Sequence, residues 1–418
     1  MKMSKIFKGD KTLWVVFMLL SIISLVGVYS SIGLEAYTHG SSGGPTGLFL
    51  RHLLIVLVSW VIVVVCSRIN YRFFSRFAVL GLWASIVLLA VTLMMGGRWL
   101  RIPVINQFQP SEVAKIALVL FIARMLTLKK DQAAEKSTFF SLLAYIVLVA
   151  AFVLPENFST AALLFVSCYL MLFFGGVDRR RWWTILLVLV IAAVAGLGIA
   201  VHRFNNENDK PEQAKTEQLM GRSSTWGHRL QSYFEDPDPT VITQENMARM
   251  AIARGGVFGK GPGNTIYARL MTQSHNDFIY AIIIEETGLV GGILVLVLYS
   301  FFFFRCMRLA WRAQGRFGAL VAAGLGTMIY LQAMANMGVA VGVLPVTGQT
   351  LPFISYGGTA YLFLSLGLGI IQSVAADVYS KEKKQETPDV QEVQDNTVDN
   401  GEMTIADDTD KNNNEISL

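Results

Sequence analysis

The sequence predicts an all-α integral membrane protein. Hydrophobic residues make up 53% of the 418 residues and charged residues only 16%, against roughly a quarter charged in an ordinary soluble domain. The mean hydropathy is +0.48. The apolar residues also come in runs of about 20, the length that a membrane-spanning helix needs. These observations exclude a disordered chain, a collagen and a coiled coil, and they argue against a water-soluble globule.

About ten apolar runs predict transmembrane helices. The first run follows four lysines and could be mistaken for a signal peptide, but it is too long and is followed by no A-x-A site, so we predict an uncleaved helix. Val113–Leu128 is the shortest of the ten. In chain order the predicted spans are Leu13–Ile32, Leu48–Cys66, Phe77–Met95, Val113–Leu128, Ser137–Leu154, Phe158–Phe174, Trp182–Val201, Asp277–Phe304, Phe317–Val341 and Thr359–Ala376.

The distribution of Lys and Arg predicts that both termini are cytoplasmic. With the N-terminus inside, the inside segments carry 22 basic residues, whereas the short outside loops carry only Arg98 and Arg101. Positive charge accumulates on the cytoplasmic side of membrane proteins, and long loops are exempt from that rule. An even number of spans follows.

The predicted membrane domain comprises residues 13–376 and follows a short cytoplasmic segment, residues 1–12. Three other segments interrupt or follow this domain. Residues 204–273 form a long polar loop on the outside, of a length that is usually functional or disordered. Val341–Gly358 is apolar but contains two prolines and four glycines, which predicts a re-entrant segment packed against the bundle. The acidic segment 377–418 has little to bury and is predicted to be a disordered cytoplasmic tail.

The first charged group at the outer rim contains Arg98, Arg101, Glu112 and Lys115. Glu112 and Lys115 are three residues apart and would share a helix face, and Ser111 could cap that helix. One interpretation is an interfacial Trp/Arg anchor with a local ion pair. The other is a cationic cup for a phosphate-like anion, since Arg matches phosphate oxygens in a bidentate manner.

The second group begins with His275 and Asp277 at the outer mouth of the eighth span. Glu285 and Glu286 would lie about 12–14 Å deeper, at the rise of a helix. Asp277 could be an N-cap carboxylate or a general base at the membrane surface. Ion pairing between helices is the simpler interpretation of the two glutamates, because acids within a membrane are usually paired.

Two further segments carry charge. Arg254–Gly263 is rich in glycine but lacks the GK[ST] of a nucleotide site and is preceded by no strand, so we predict a flexible, cation-bearing outside loop. The segment Pro155–Thr160, which contains Glu156, is predicted to be a tight hairpin between two spans.

The cysteines and the overall charge suggest no other chemistry. Cys66, Cys168 and Cys306 lie in or beside apolar runs and form no CxxC pair, which predicts neither a disulfide nor a structural metal. The basic residues occur in short clusters between spans. Membrane orientation explains this pattern better than binding to nucleic acid does.

Together these stretches resemble the SEDS family (shape, elongation, division and sporulation). The resemblance covers roughly residues 13–376, and its most specific part is Asn336–Gly358, which contains Leu-Pro-Val-Thr-Gly followed by Leu-Pro-Phe-Ile-Ser-Tyr-Gly-Gly. The other matching stretches are Gly97–Arg101, Phe108–Lys115, Pro155–Ala161, Arg254–Gly263 and Asp277–Gly288. Departures occur at Thr272 and Gln273, where many relatives have Pro-Glu, and at Thr347, where Lys is frequent. Within the family, the cell-division branch is the most similar and the elongation branch is next.

The resemblance implies a peptidoglycan glycosyltransferase that polymerises lipid II in the bacterial cytoplasmic membrane, at the division septum. Asp277 would be the general base for the acceptor hydroxyl. Arg98, Arg101, Glu112, Lys115, Arg254, His275 and Ser355 would contact substrate, the cations stabilising the leaving pyrophosphate. No cofactor is required, although a divalent cation, Mg²⁺ or Mn²⁺, could assist. The implied partners are a class B penicillin-binding transpeptidase and other divisome proteins.

Two other functions remain open from the residues alone. A lipid II flippase or transporter would use the same charged cavity without chemistry and would depend on Glu285 and Glu286 rather than on Asp277. A non-enzymatic scaffold would not need so many charges at the rim.

Overall fold

The computed structural model describes residues 7–31, 44–95, 97, 99–100, 108–191, 195, 243–271 and 276–403. Within these residues the regular secondary structure is helical, apart from one isolated bridge between Leu100 and Phe108. The helices are α1 (Lys11–Ser31), α2 (Gly44–Arg68), α3 (Tyr71–Met94), α4 (Pro110–Leu128), α5 (Lys136–Val153), α6 (Phe158–Phe174), α7 (179–191), α8 (Gln244–Gly255), α9 (Tyr267–Leu270), α10 (Ile279–Arg312), α11 (Arg316–Ala340) and α12 (Gly358–Met403).

Each predicted span overlaps a helix within the described residues. In the part of the chain that the structure describes, seven helices are long and apolar enough to cross a membrane, namely α1, α2, α3, α5, α10, α11 and α12. The 17-residue α6 is apolar but shorter, and the 19-residue α4 carries three charged residues. The span predicted at Trp182–Val201 begins within α7 and continues outside the described residues.

Two long helices form the centre of the bundle. In α11 and α12, 78% and 72% of the most apolar window is buried, whereas in α2 only 22% is, so α2 lies at the periphery. Small residues permit close approach, as expected where helices pack without a hydrophobic driving force. Gly324 of α11 lies against Val119 and Met171, and Gly369 of α12 lies against Val63 and Cys66.

The start of α1 and the late part of α12 meet at one face of the membrane domain, which we call the terminal face. Asp10 accepts a hydrogen bond from the Thr12 amide (2.8 Å) as the cap of α1 and pairs with Arg305 of α10 (2.6 Å). Its carboxylate also accepts a hydrogen bond from the Tyr379 hydroxyl (2.8 Å). Burial raises the pKa of Asp10, but the bonds from Tyr379 and Arg305 outweigh it and hold the pKa below its ordinary value.

The prediction of a disordered tail from residue 377 is wrong at its start. Helix α12 continues through this boundary to Met403, and Val378 is buried. Val378 follows Val374 and Ile371 on one face of the helix, so the apolar register extends beyond the point at which the overall composition becomes acidic. Residues 404–418 lie outside the described residues.

Candidate active site

Asp277 lies at the start of α10, on the face opposite the terminal face, which we call the loop face. The helix begins at Ile279, and Phe278 occupies the N-cap position without a side-chain hydrogen bond, so the interpretation of Asp277 as the N-cap is wrong. The Asp277 side chain is half-buried. Gly348 of the re-entrant segment is beside it, since a Cβ built on Gly348 would lie 3.8 Å from Asp277 Oδ2 and 4.0 Å from Asn157 Nδ2.

Two side chains hold the backbone around Asp277. The Asn336 Nδ2 group of α11 donates to the carbonyl of Asp277 (2.9 Å) and also to the carbonyl of Gln349 (2.7 Å). The Ser355 hydroxyl donates to the carbonyl of Asn276 (2.6 Å). Two successive peptide groups are therefore fixed to α11 and to the re-entrant segment, which sets the position from which the carboxylate projects.

The predicted re-entrant segment is confirmed as non-helical chain folded into the bundle between α11 and α12. Side chains from several helices satisfy its backbone, as irregular chain at membrane depth requires. Gln332 donates to the carbonyl of Thr350 (3.0 Å), and Ser24 of α1 donates to the carbonyl of Ile354 (2.7 Å). The Gln349 side chain in turn donates to Thr160 Oγ1 of α6 (2.6 Å).

Phe353 lies at the tightest point of this segment. Its φ is 59°, in the left-handed region, which a bulky residue adopts only at a cost of about 1–3 kcal/mol. The side chain is buried, and its ring packs edge-on against Phe17 (5.3 Å) and Tyr361 (6.0 Å). The Tyr299 hydroxyl also donates to the neighbouring carbonyl of Pro352. This aromatic packing offsets the strain and fixes the turn that presents Ser355.

Glu112 and Lys115 form a buried ion pair. The distance from Lys115 Nζ to Glu112 Oε1 is 2.8 Å, and the Lys115 side chain is 2% exposed. Lys115 also donates to Gln332 Oε1 (3.0 Å). The pair therefore lies inside the bundle rather than at the rim, because α4 is enclosed by its neighbours along most of its length. The predicted Ser111 cap is wrong: Gln109 occupies the N-cap position, and the buried Ser111 hydroxyl has no partner within the described residues.

Arg254, Glu285 and Glu286 connect the glycine loop, residues 254–263, to α10. Arg254 pairs with the fully buried Glu285 (2.6 Å) and donates to the Asn264 carbonyl (2.9 Å). Glu286 accepts hydrogen bonds from Ser30 of α1 and from the Gly263 amide (2.9 Å). Arg254 therefore takes part in a structural ion pair. The expected ion pairing is found for Glu285, whereas Glu286 accepts hydrogen bonds instead.

Of the other predicted site residues, one lies beside Asp277 and three lie outside the described part of the chain. Ser355 is brought beside Asp277 through the Asn276 carbonyl. Arg98, Arg101 and His275 fall outside the described residues. The tight hairpin before α6 is confirmed, with Asn157 capping the helix by accepting from two backbone amides.

The sequence interpretation assigned no role to Asn336, Gln332, Gln349 or Thr160. A signal was available for the first two, because they are amides four residues apart in an otherwise apolar span and so share a helix face. Gln349 and Thr160 carry no such signal, since their contact joins segments 189 residues apart in the chain.

Comparison with known proteins identifies relatives over nearly the whole chain. A family profile described as "Cell cycle protein", covering FtsW, RodA and SpoVE, matches residues 10–380. The probable peptidoglycan glycosyltransferase FtsW of Enterococcus hirae is 29% identical over 91% of this chain and 96% of its own length. The peptidoglycan glycosyltransferase MrdB of Escherichia coli K12 is 30% identical over 85% of this chain and 92% of its own length.

Solved structures share the fold. One, described as "Structural coordination of polymerization and crosslinking by a peptidoglycan synthase complex", matches with a TM-score of 0.67 and 25% identity over 89% of this chain and 98% of that chain. The rod shape determining protein RodA of Thermus thermophilus matches with a TM-score of 0.61 and 21% identity over the same shares.

Proposed function

The chain belongs to the FtsW, RodA and SpoVE family of cell cycle proteins, and on that premise we propose that it is a peptidoglycan glycosyltransferase that polymerises lipid II into glycan strands. The observation that carries the proposal is the arrangement of Asp277, a carboxylate at the loop face whose backbone is fixed by Asn336 and Ser355.

In the proposed reaction, the 4-hydroxyl of the acceptor sugar attacks the anomeric carbon of a donor linked to a lipid pyrophosphate. The C–O bond to the pyrophosphate breaks as the new glycosidic bond forms, and Asp277 takes the hydroxyl proton. A hydroxyl is a weak nucleophile, so a carboxylate within hydrogen-bond reach lowers the barrier. The clamped backbone favours a fixed carboxylate position, which contributes through orientation.

Cations would stabilise the charge that develops on the leaving pyrophosphate. We retain Arg98 and Arg101 for this role as proposals. Lys115 is a weaker candidate for direct contact because it is buried against Glu112. Arg254 is also a weaker candidate, because its ion pair with Glu285 neutralises its charge. Both fit better as residues that hold the site together.

A divalent cation also remains a proposal. No cluster of three or more His, Cys, Asp or Glu side chains that could hold a metal ion occurs within the described part of the chain. Mg²⁺ or Mn²⁺ could instead enter with the lipid pyrophosphate, which itself offers hard oxygen ligands. Turnover measured with each metal and with a chelator tests this directly.

The test of the proposed function is polymerisation of labelled lipid II by the purified protein in detergent. The native chain should make glycan strands, and the Asp277→Asn variant should fold but make none, because the change keeps the size and removes the base. The matched control is Asp178→Asn, an acid on the terminal face that pairs with Arg181 and should leave turnover unchanged. Near-normal polymerisation by Asp277→Asn would exclude the assignment.

We place the protein in the bacterial cytoplasmic membrane, with the loop face outside, both termini cytoplasmic and its action at the division septum. The relatives bear names from both the division and the elongation branch at nearly equal identity, so septal localisation of a fluorescent fusion is the discriminating measurement. The proposed partner is a class B penicillin-binding transpeptidase with other divisome proteins. A protein related to this chain belongs to a peptidoglycan synthase complex, which supports that partner.

The flippase or transporter alternative has less support. It depends on Glu285 and Glu286 as acids that line a path through the membrane, and both are engaged in bonds to the glycine loop and to α1.

A further inference from the structure

The glycine loop joins α10 at a break in that helix. Gly288 has φ 73° and ψ −173°, which only glycine adopts readily, and it separates residues 279–287 from the continuous helix 289–312. The loop fills the break. The Leu289 amide donates to the Gly256 carbonyl (2.9 Å), and the Val290 amide donates to the Val257 carbonyl (3.3 Å).

These bonds fix the depth of the loop relative to the membrane. Arg305, farther along α10, pairs with Asp10 at the terminal face and so marks that edge of the membrane domain. Leu289 is sixteen residues before Arg305, or about 24 Å along a helix. The hydrocarbon core is about 30 Å thick, so the bonded part of the loop lies within the bilayer leaflet at the loop face.

Several polar groups of the loop backbone are also satisfied internally, which lowers the cost of placing the loop in lipid. Besides the two carbonyls bonded to α10, the Gly259 amide donates to the Gly255 carbonyl (2.9 Å). The Lys260 amide donates to the Glu285 carbonyl (3.0 Å), and the Gly261 amide donates to the Glu286 carbonyl (2.8 Å).

The side chains at the tip of the loop are apolar and exposed. Phe258 is 86% exposed and Val257 is 55% exposed. They continue the exposed face of α10 formed by Leu289 and Val290, a face that belongs to a membrane span. No charged residue lies between Arg254 and Lys260. Leaving a phenylalanine in water costs about 1.5–3 kcal/mol relative to burying it.

We propose that the tip of the glycine loop, Val257 and Phe258, is inserted among the lipid acyl chains of the leaflet at the loop face, with Lys260 reaching the headgroups. The occupant of this apolar surface is lipid, because the surface is continuous with the lipid-facing side of α10 and lies at hydrocarbon depth. A lysine beside such a surface places its ammonium among the anionic headgroups. The loop would thus anchor α8 and the long loop to the membrane.

A single introduced cysteine tests the proposal, since the three native cysteines are buried and should not react. The Phe258→Cys variant is labelled with an environment-sensitive fluorophore and reconstituted in nanodiscs of phosphatidylethanolamine and phosphatidylglycerol. Its emission should shift to the blue. It should be quenched by nitroxide-labelled lipid and not by aqueous iodide, as for a Leu294→Cys control on the exposed face of α10.

A Lys130→Cys control in the exposed loop at the terminal face should show the reverse behaviour. If the Phe258→Cys protein does not fold, Val257→Cys serves in its place. Quenching of the loop probe by iodide to the same extent as at position 130 would overturn the proposal. The proposal would also be overturned if iodide quenches the probe in nanodiscs without the transpeptidase partner and no longer quenches it once that partner is added. The surface would then be a protein-docking site.

Discussion

Asn336 uses both hydrogens of one amide nitrogen to hold two backbone carbonyls, those of Asp277 and Gln349. At the scale of single residues, this is the contact that ties the proposed base to the re-entrant segment. An amide is suited to the task because it offers two donors on one planar group. Removing the donors would leave two carbonyls without their partner, at a cost of about 1–3 kcal/mol each if they stay dry.

We therefore expect Asn336→Asp to lower lipid II turnover by about 10- to 100-fold, because an ionised carboxylate cannot donate and Asp277 loses its fixed position. Turnover and thermal stability should be measured together. The control is Thr327→Val on the same helix, whose buried hydroxyl has no partner within the described residues. Equal losses of turnover in the two variants would show that Asn336 has no positioning role.

The Glu112–Lys115 pair calls for a double-mutant cycle. Breaking a buried pair by removing one partner costs about 3–5 kcal/mol because the other charge is left uncompensated. If Lys115 has only this structural role, Glu112→Gln with Lys115→Gln should be no worse than either change alone, in both unfolding and lipid II turnover. If Lys115 binds phosphate, the double variant should recover stability but not turnover. Unchanged turnover in Lys115→Gln would reject the phosphate role.

At the scale of elements, the break in α10 is the feature on which the loop face depends. A Cβ on Gly288 would collide with the Val257 carbonyl, and a Cβ on Gly259 would collide with the Glu286 carbonyl. Both contacts are with backbone, which cannot rotate away. The close approach of loop and helix therefore requires glycine on both sides.

Gly288→Ala should destabilise the protein by about 3 kcal/mol or more, since the backbone conformation is one that alanine avoids and the contact must also open. The measurement is thermal unfolding in detergent. Gly81→Ala is the matched control, because a Cβ there meets only Ala117 at an ordinary 3.8 Å. A Gly288→Ala protein as stable as the Gly81→Ala protein would contradict the close contact.

At the scale of the whole molecule, the terminal face joins the first helix to the last. Asp10 caps α1 and also binds Arg305 of α10 and Tyr379 of α12, so residues more than 360 positions apart in the chain meet. Three helices are thereby fixed on the side opposite the site.

Asp10→Asn should lower the stability by about 2 kcal/mol or more at neutral pH, since Arg305 loses its carboxylate partner and keeps only the Tyr379 hydroxyl. The pKa of Asp10 is lowered by folding, so its contribution is present above the unfolded value of about 3.9 and is lost as the pH falls through the folded pKa. Unfolding midpoints of the two proteins should converge below about pH 4 for that reason. A difference that persists in acid would show that the charge is not responsible.

Two truncations separate the packed end of α12 from the tail beyond it. Ending the chain after Tyr379 keeps the bond to Asp10 and should leave lipid II polymerisation intact. Ending it after Ala376 removes Val378 and Tyr379 and should lower the thermal stability. If the chain that ends after Tyr379 folds normally yet loses activity with the transpeptidase present, the tail is part of the working enzyme.

The sequence by itself determined the spans, because runs of about 20 apolar residues have few alternatives in a membrane. It also indicated the re-entrant segment, through the glycines and prolines of 341–358. It drew attention to Asp277, Glu112 and Lys115, because ionisable residues near spans are conspicuous. It misplaced the start of the tail because composition averaged over forty residues hides the apolar register of Val378.

Only the tertiary structure decided which charged side chains are already engaged in ion pairs. The pairing of Lys115 with Glu112 is local, but its burial results from the helices around α4. The pairing of Arg254 with Glu285 joins the last turn of α8 to α10, 31 residues away. The clamp of Asn336 on Asp277 spans 59 residues. Contacts of this kind depend on how helices pack, and a one-dimensional pattern records which residues could face each other within one helix but not which helices meet.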